Sequence, residues 1–302
     1  LHTQYGQVFE VDSKLGSKSL QATMGFNGAI LSKGILYNLS YTAQHATDQG
    51  SGGGGRGFGG QNTAGNPNDR DWARSDFART HSFLATVTWP INSLIELTTI
   101  SRLSSGQAYS PMIAGDVNGD GSRNDRAFIF DPAASTTSPE VAAAMQRLLS
   151  ATSGGGQECL TSQMGKIATR NSCLGPWQPS VEFQLNIRPN VLGLQRRLSL
   201  SVTTQNLLGG IDQLFHGAAD MKGWGQANRP DGTLLYVQGF DPQTNQFQYR
   251  VNERFGATGV QGNAVRIPFQ VGIQARLSLG PNRPGSLGQI GGLGGFGGGG
   301  GR

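Results

Sequence analysis

The segment Asp116-Val117-Asn118-Gly119-Asp120-Gly121-Ser122-Arg123-Asn124-Asp125 has the clearest chemical spacing in this 302-residue chain. Side-chain oxygens at loop positions 1, 3 and 5, with glycine at 6 to allow a sharp turn, are what a hard cation such as Ca²⁺ requires. Asp116, Asn118, Asp120, Ser122, Asn124 and Asp125 are therefore candidate metal ligands, and Ca²⁺ is the one cofactor the sequence suggests. The twelfth position, where a Ca²⁺ loop places a bidentate Glu, is Ala127. Asp125 would have to close the shell from two residues earlier. The alternative is an Asx-rich turn closed by its own side chains, with Arg123 and Arg126 pairing the carboxylates.

The chain has two cysteines, Cys159 and Cys173. An even count in an oxidising compartment favours a disulfide, and two thiols with no nearby histidine make a poor metal site. Ser138-Pro139-Glu140 opens a predicted helix to about Ser150, with Ser as N-cap, Pro at the first position and Val141, Met145 and Leu148 on one face. The glycine-rich run Gly52 to Gly60 lacks the Gly-Lys-Ser/Thr ending of a phosphate loop, and it has too little arginine for an RNA-binding repeat. It reads as a flexible solvated loop. His2, His45, His81 and His216 are widely separated, and no metalloprotease or serine-hydrolase motif is present. An enzyme is not expected.

Long two-faced strands must carry these loops. Ile267, Phe269, Val271, Ile273, Ala275, Leu277 and Leu279 alternate with Pro268, Gln270, Gly272, Gln274, Arg276 and Ser278. One apolar and one polar face over such a length suit a wall between lipid and water, because ordinary strands run to about 5–6 residues. The same period appears from Leu20 to Ile30, Ile35 to Gln44, Phe83 to Trp89, Ile95 to Thr99, Val181 to Arg188 and Leu198 to Thr203. Residues 3–11 are a possible eighth strand. Connections 31–34, 90–93 and 189–196 are short, whereas 46–76, 106–180 and 208–265 are long. Short periplasmic turns alternating with long extracellular loops are the arrangement of an outer-membrane barrel, with the last strand running inward.

Composition agrees with that reading. Hydrophobic content is 36% and mean hydropathy −0.32, values low enough to fit strands with one polar face and wet loops. No stretch reaches the roughly 20 apolar residues of a spanning helix. The net charge of +5 comes with 19 Arg among the 24 basic residues, scattered rather than clustered. Arginines lining a lumen or facing anionic headgroups account for this, and no nucleic-acid partner is expected. The N-terminus has neither the basic start nor the apolar run of a signal peptide, so the chain is expected to be mature or truncated.

At the loops a family resemblance enters. Gly65-Asn-Pro-Asn-Asp-Arg-Asp-Trp-Ala-Arg-Ser-Asp76 before Arg79 and His81, then Ser105-Gly-Gln-Ala-Tyr109, then Asp116 to Arg126, resemble the barrel of TonB-dependent receptors, and within them the Oar-like group. Gln205-Asn-Leu-Leu208, Gly223-Trp-Gly225 and Asn252-Glu-Arg-Phe-Gly256 are similar to later landmarks of that barrel. The resemblance spans roughly residues 18 to 279. It implies a 22-stranded barrel in the outer membrane, plugged by an N-terminal domain and driven by the TonB complex. These 302 residues would be its C-terminal third, with plug, TonB box and earlier barrel strands lying outside them.

The expected fold is thus all-β, an antiparallel transmembrane barrel portion of about 7–8 strands with long extracellular loops and one short loop helix. Residues 1–280 form the partial barrel and 281–302 a Gly-rich flexible tail. The expected function is membrane wall and ligand-contacting loops for energised uptake or surface binding. Its partners are outer-membrane lipid, the missing N-terminal plug and barrel portion and, through that absent region, the TonB complex. The alternative is a secreted Ca²⁺-stabilised adhesive or structural β-protein.

Overall fold

The computed structural model describes residues 14–50, 62–66, 68–151, 155–189, 197–218, 221–225, 230–258 and 267–278. The possible strand at 3–11, the Gly52 to Gly60 run and the tail at 281–302 lie outside them. The chain is 45% strand and 13% helix, so it is mostly antiparallel β-sheet.

In chain order the elements are β1 (Ser17–Ile30), β2 (Ile35–Asp48), β3 (Ala73–Arg74), β4 (His81–Pro90), β5 (Ile95–Ser104), β6 (Ala108–Tyr109), β7 (Met112–Ala114), helices α1 (Pro139–Ala151) and α2 (Gly155–Thr161), β8 (Cys173–Leu174), β9 (Gln178–Ile187), β10 (Leu198–Gln205), helix α3 (Leu207–His216), β11 (Thr233–Asp241), β12 (Gln246–Val251) and β13 (Gln270–Leu277). Seven of these strands form one sheet in the order β1-β2-β4-β5-β9-β10-β13, each antiparallel to the next, with β3 attached to the end of β2. Spatial order equals chain order, as in an up-and-down wall. Among the described residues neither β1 nor β13 has a partner on its outer side, and the sheet is not closed.

The register keeps the two faces largely separate across the wall, with Leu36, Leu84 and Ile100 on the polar side and Thr99 and Ser101 on the apolar side as the departures. Met24 stands opposite Tyr41, Tyr41 opposite Phe83, Phe83 opposite Leu103, Leu97 opposite Leu185, Leu185 opposite Val202, and Val202 opposite Ile273. Directly opposed residues share a face, so these side chains form one apolar surface. Thr23 and Thr42, Thr98 and Gln184, Asn186 and Ser201, and Ser201 and Gln274 are opposed on the other face. A one-residue slip at any pair would move a whole strand's apolar set to the polar side. The apolar face is uncovered: Met24 is 73% and Ile273 77% exposed. The polar face bonds to itself, with Thr23 to Thr42 at 3.0 Å, Gln184 donating to Ser201 at 3.0 Å, and Arg102 paired with Glu182 at 3.3 Å.

The connections separate by end. The turn 31–34, the residues between β4 and β5, and those between β9 and β10 leave one end, where Ile30 is opposite Ile35 and Ile95 opposite Ile187. The three long excursions, 49–80, 105–177 and 206–269, all leave the other.

These excursions are not structureless, and here the structure corrects the single-helix expectation. Among the described residues three helices lie in them rather than one. α1 matches the expected helix and buries Val141, Met145 and Leu148, together with Ala144. In the third excursion β11 and β12 form a hairpin, and β7 of the second excursion joins β11 in parallel, placing residues more than a hundred apart side by side. One cluster fills the space beneath: Ile113, Ala127, Ile129, Met145, Leu148, Leu160, Leu234, Leu235, Val251 and Phe255 are among its members. All belong to the second and third excursions, so the molecule's apolar core sits in a folded cap beyond the wall.

Candidate functional site

The cap holds the candidate metal residues, the disulfide and the clefts. Chain geometry in the Asp/Asn loop is set by Asx turns. Asp116 accepts the backbone N–H of Gly119 at 2.7 Å and of Gly121 at 2.8 Å, Asn118 accepts from Asp120 at 2.9 Å, and Asp120 accepts from Ser122 at 2.7 Å. Gly119 and Gly121 take φ of 75° and 84°, a region costly for residues with a Cβ, which explains the glycines at these places. Oδ2 of Asp125 receives the N–H of Val117 at 2.8 Å, drawing the loop's end back onto its start. Asp125 is 2% exposed, and its Oδ1 has no hydrogen-bond partner among the described residues.

The loop therefore brings Asp116, Asn118, Asp120, Ser122 and Asp125 together by the bonds a self-closed turn needs. A carboxylate or amide oxygen that accepts one N–H retains a second lone pair, so these bonds do not exclude a cation. Among the described residues no three His, Cys, Asp or Glu side chains converge as a metal-binding group. Arg126 turns away from the loop and pairs with Asp71 of the first excursion. The amide of Asn118 donates to the Gly65 carbonyl at 3.1 Å, and the N–H of Thr63 donates to the Asn124 carbonyl at 2.9 Å. The loop is a joint between the first and second excursions.

Other joints were not foreseen. Arg170 and Asp48 form an ion pair at 2.7 Å with both side chains almost wholly buried, tying the second excursion to the outer end of β2. Asn171 donates to the Arg74 carbonyl at 2.7 Å, and Ser110 donates to Asn171 at 3.2 Å. Nothing local in the sequence marks Arg170, because its partner is more than a hundred residues away.

Asp212, fully buried in α3, accepts the N–H groups of Lys222, Gly223 and Trp224 at 3.0, 2.7 and 2.9 Å and bonds the His216 ring at 2.8 Å. Burial alone would raise its pKa. The Lys222 and Trp224 N–H groups, His216 and the Gly223 N–H outweigh that and hold it below the ordinary carboxylate value. The Gly223-Trp-Gly225 landmark is thus a main-chain clamp on one carboxylate. The Gln205-Asn-Leu-Leu208 landmark has a similar use: Asn206, at φ 51°, caps α3 by accepting from Gly209 and donates to the Ile267 carbonyl at 2.6 Å.

Cys159 and Cys173 are disulfide-bonded, joining α2 to β8 inside the cap core. A cleft of about 260 Å³ opens beside them, lined by Asn62, Asp76, Tyr109, Ser110, Asn171 and Gly232 among others, from all three excursions. Tyr109 is pushed up to about 12 by burial and by the charge of Asp231, so it is a neutral hydrogen-bonding group at physiological pH. His81, at the wall's outer end, bonds the Tyr41 hydroxyl at 2.8 Å and stacks on Trp177, a structural position. No protein-family model, no curated protein and no solved structure matches this chain.

Proposed function

We propose that these residues are the C-terminal part of the barrel of a TonB-dependent outer-membrane receptor of the Oar-like kind. In this reading the sheet supplies membrane wall and polar lumen face, and the cap supplies the extracellular surface for energised uptake or surface binding. The observation that carries it is the register of the seven strands, which keeps one face mostly apolar and the other mostly polar from β1 to β13 while every long excursion leaves the same end. A soluble sheet would bury that apolar face, and no hydrophobic residue of the seven strands is buried. A tilted membrane strand needs about 9–11 residues. β1 and β2 have 14, β4, β5 and β9 have 10, and β10 and β13 have 8. Tyr41, Phe83 and Trp177 cluster towards the cap side of the apolar face, consistent with an interfacial aromatic girdle.

The lipid-facing band would then meet the outer membrane. The unpaired edges of β1 and β13 would meet the rest of a 22-stranded wall, since lipid cannot satisfy open strand edges. The cleft at Tyr109, Ser110 and Asn171 is the candidate ligand contact, and the TonB complex would act through a plug outside this sequence. No step of catalysis is part of the reading. Expression of the chain with and without detergent or bilayer is the test: a monomer that stays soluble in buffer alone would end the proposal. The secreted β-protein alternative predicts that soluble behaviour, with the apolar face covered by a second sheet.

A structural Ca²⁺ in the Asp116 to Asp125 loop belongs to the same proposal. Its support is the buried, unpartnered Oδ1 of Asp125 beside a turn that gathers Asp116, Asn118 and Asp120. The melting temperature should fall in chelator and recover with Ca²⁺ but not with Mg²⁺, which demands a tighter octahedral shell. An unchanged melting temperature leaves the self-closed turn as the full account.

A further inference from the structure

Leu214 and Phe215, adjacent on α3, are 80% and 72% exposed. The helix is inside out by the standard of a water-facing one: its carboxylate, Asp212, is fully buried against the 222–224 main chain, and its largest apolar side chains point away from the protein.

Its position explains the inversion. At the cap-side end of β10, Thr204 belongs to the apolar series, opposite Val271 and Phe183, and is buried. Thr203 and Gln205, on the polar face, are exposed. Something therefore covers the apolar face there and leaves the polar face open. The element that lies on this side is α3. It packs against β9, one strand beyond β10. Gly210 backs onto the Phe269 ring so closely that a Cβ would lie 2.7 Å from it, which is why glycine stands at that turn. Phe269 continues the apolar series of β13, so α3, with exposed Leu214 and Phe215 one turn beyond Gly210, adjoins the exposed apolar row Ile267, Phe269, Val271 and Ile273.

We propose that α3 is an interfacial anchor, lying along the outer boundary of the bilayer with Leu214 and Phe215 among the upper acyl chains. This rests on the reading of the wall's apolar face as lipid-facing. Continuity with that face selects lipid as the occupant. Such helices sink roughly 5–10 Å into the headgroup and acyl boundary, with basic residues towards anionic headgroups. Lys222, exposed just after the helix, is placed for that contact.

The test uses the full chain in bilayer discs with isotope-labelled methyl groups. Relaxation enhancement is read from a nitroxide carried high on the acyl chain, from one near its end, and from a water-borne gadolinium chelate. The Leu214 methyls should broaden several-fold more with the high nitroxide than with either other agent, while Ile273 responds most to a lipid-borne nitroxide and Leu148, in the cap core, to none. If Ile273 responds to lipid and Leu214 only to the chelate, the anchor is overturned and the wall stands. If Leu214 responds to no agent, protein covers it and the anchor is likewise overturned. If Ile273 ignores both nitroxides, the lipid-facing wall and the anchor fall together.

Discussion

The wall and the cap are built from one chain and held by opposite means. In the wall, the strand ladder fixes the structure, and only Asp48 and Thr204 of the seven strands are buried. In the cap, β6, β7 and β8, of two or three residues each, could hold nothing by ladder bonds alone, and Met145 and Leu148 are 0% and 1% exposed in a packed core. Each part thus draws its stability from a different source. The cap carries its own apolar medium, whereas the wall, in the proposed reading, takes its medium from lipid.

The largest test of that contrast is at their junction. Arg170→Ala removes the buried ion pair with Asp48, and breaking such a pair costs about 3–5 kcal/mol. Hydrogen exchange should show cap amides losing protection while the β4 to β9 ladder keeps its own. Within the cap, Met145→Ala should cost about 2–5 kcal/mol in denaturant unfolding because a closed core cannot fully collapse. The matched change Ile273→Ala should move stability far less in the same assay. Equal effects would erase the distinction.

Replacing Cys159 and Cys173 by Ser frees a loop of 14 residues, for which the chain-entropy account gives about 3 kcal/mol. Its effect should appear in cap unfolding and leave the wall transition in place. Smaller still, Asn206→Ala removes the α3 cap for about 1 kcal/mol, measurable as faster exchange of the Gly209 amide. The pH effect at Asp212 is the mildest. Its folded pKa lies below the ordinary value of 3.8, so its contribution is complete above that value and is lost as pH falls through the folded pKa. The 222–224 amides should stay protected at pH 5 and open only in stronger acid.

The same contrast governs what could be read from the residues alone. Every wall strand was legible, because a two-residue period is written locally: Leu198 to Thr203 announces β10 without knowledge of its neighbours. Observed strands mostly run longer than that pattern, as in His81–Pro90 and Ile95–Ser104, because ladder bonds continue where alternation weakens. β13 is the exception, with Ile267 and Phe269 before its first residue. The cap was legible only where a signal was local, in the Pro139 helix start, the Asx turn at Asp116 and the cysteine pair. β7 was hidden because its partner in β11 is remote and the pairing is three residues long. α3 was hidden because Gly209 and Gly210 argue against a helix, whereas the close packing of Gly210 on Phe269 and the clamp on Asp212 favour one.

The parallel pairing of β7 with β11 also bears on covalent continuity. The third excursion is fastened twice, by β10 and β13 in the wall and by Leu234, Leu235, Val251 and Phe255 in the cap core. A single backbone cut between Trp224 and Pro230 would leave one piece ending just past the 222–224 clamp on α3 and another beginning shortly before β11, each already gripped by the rest. The two pieces would remain associated through those contacts after the cut.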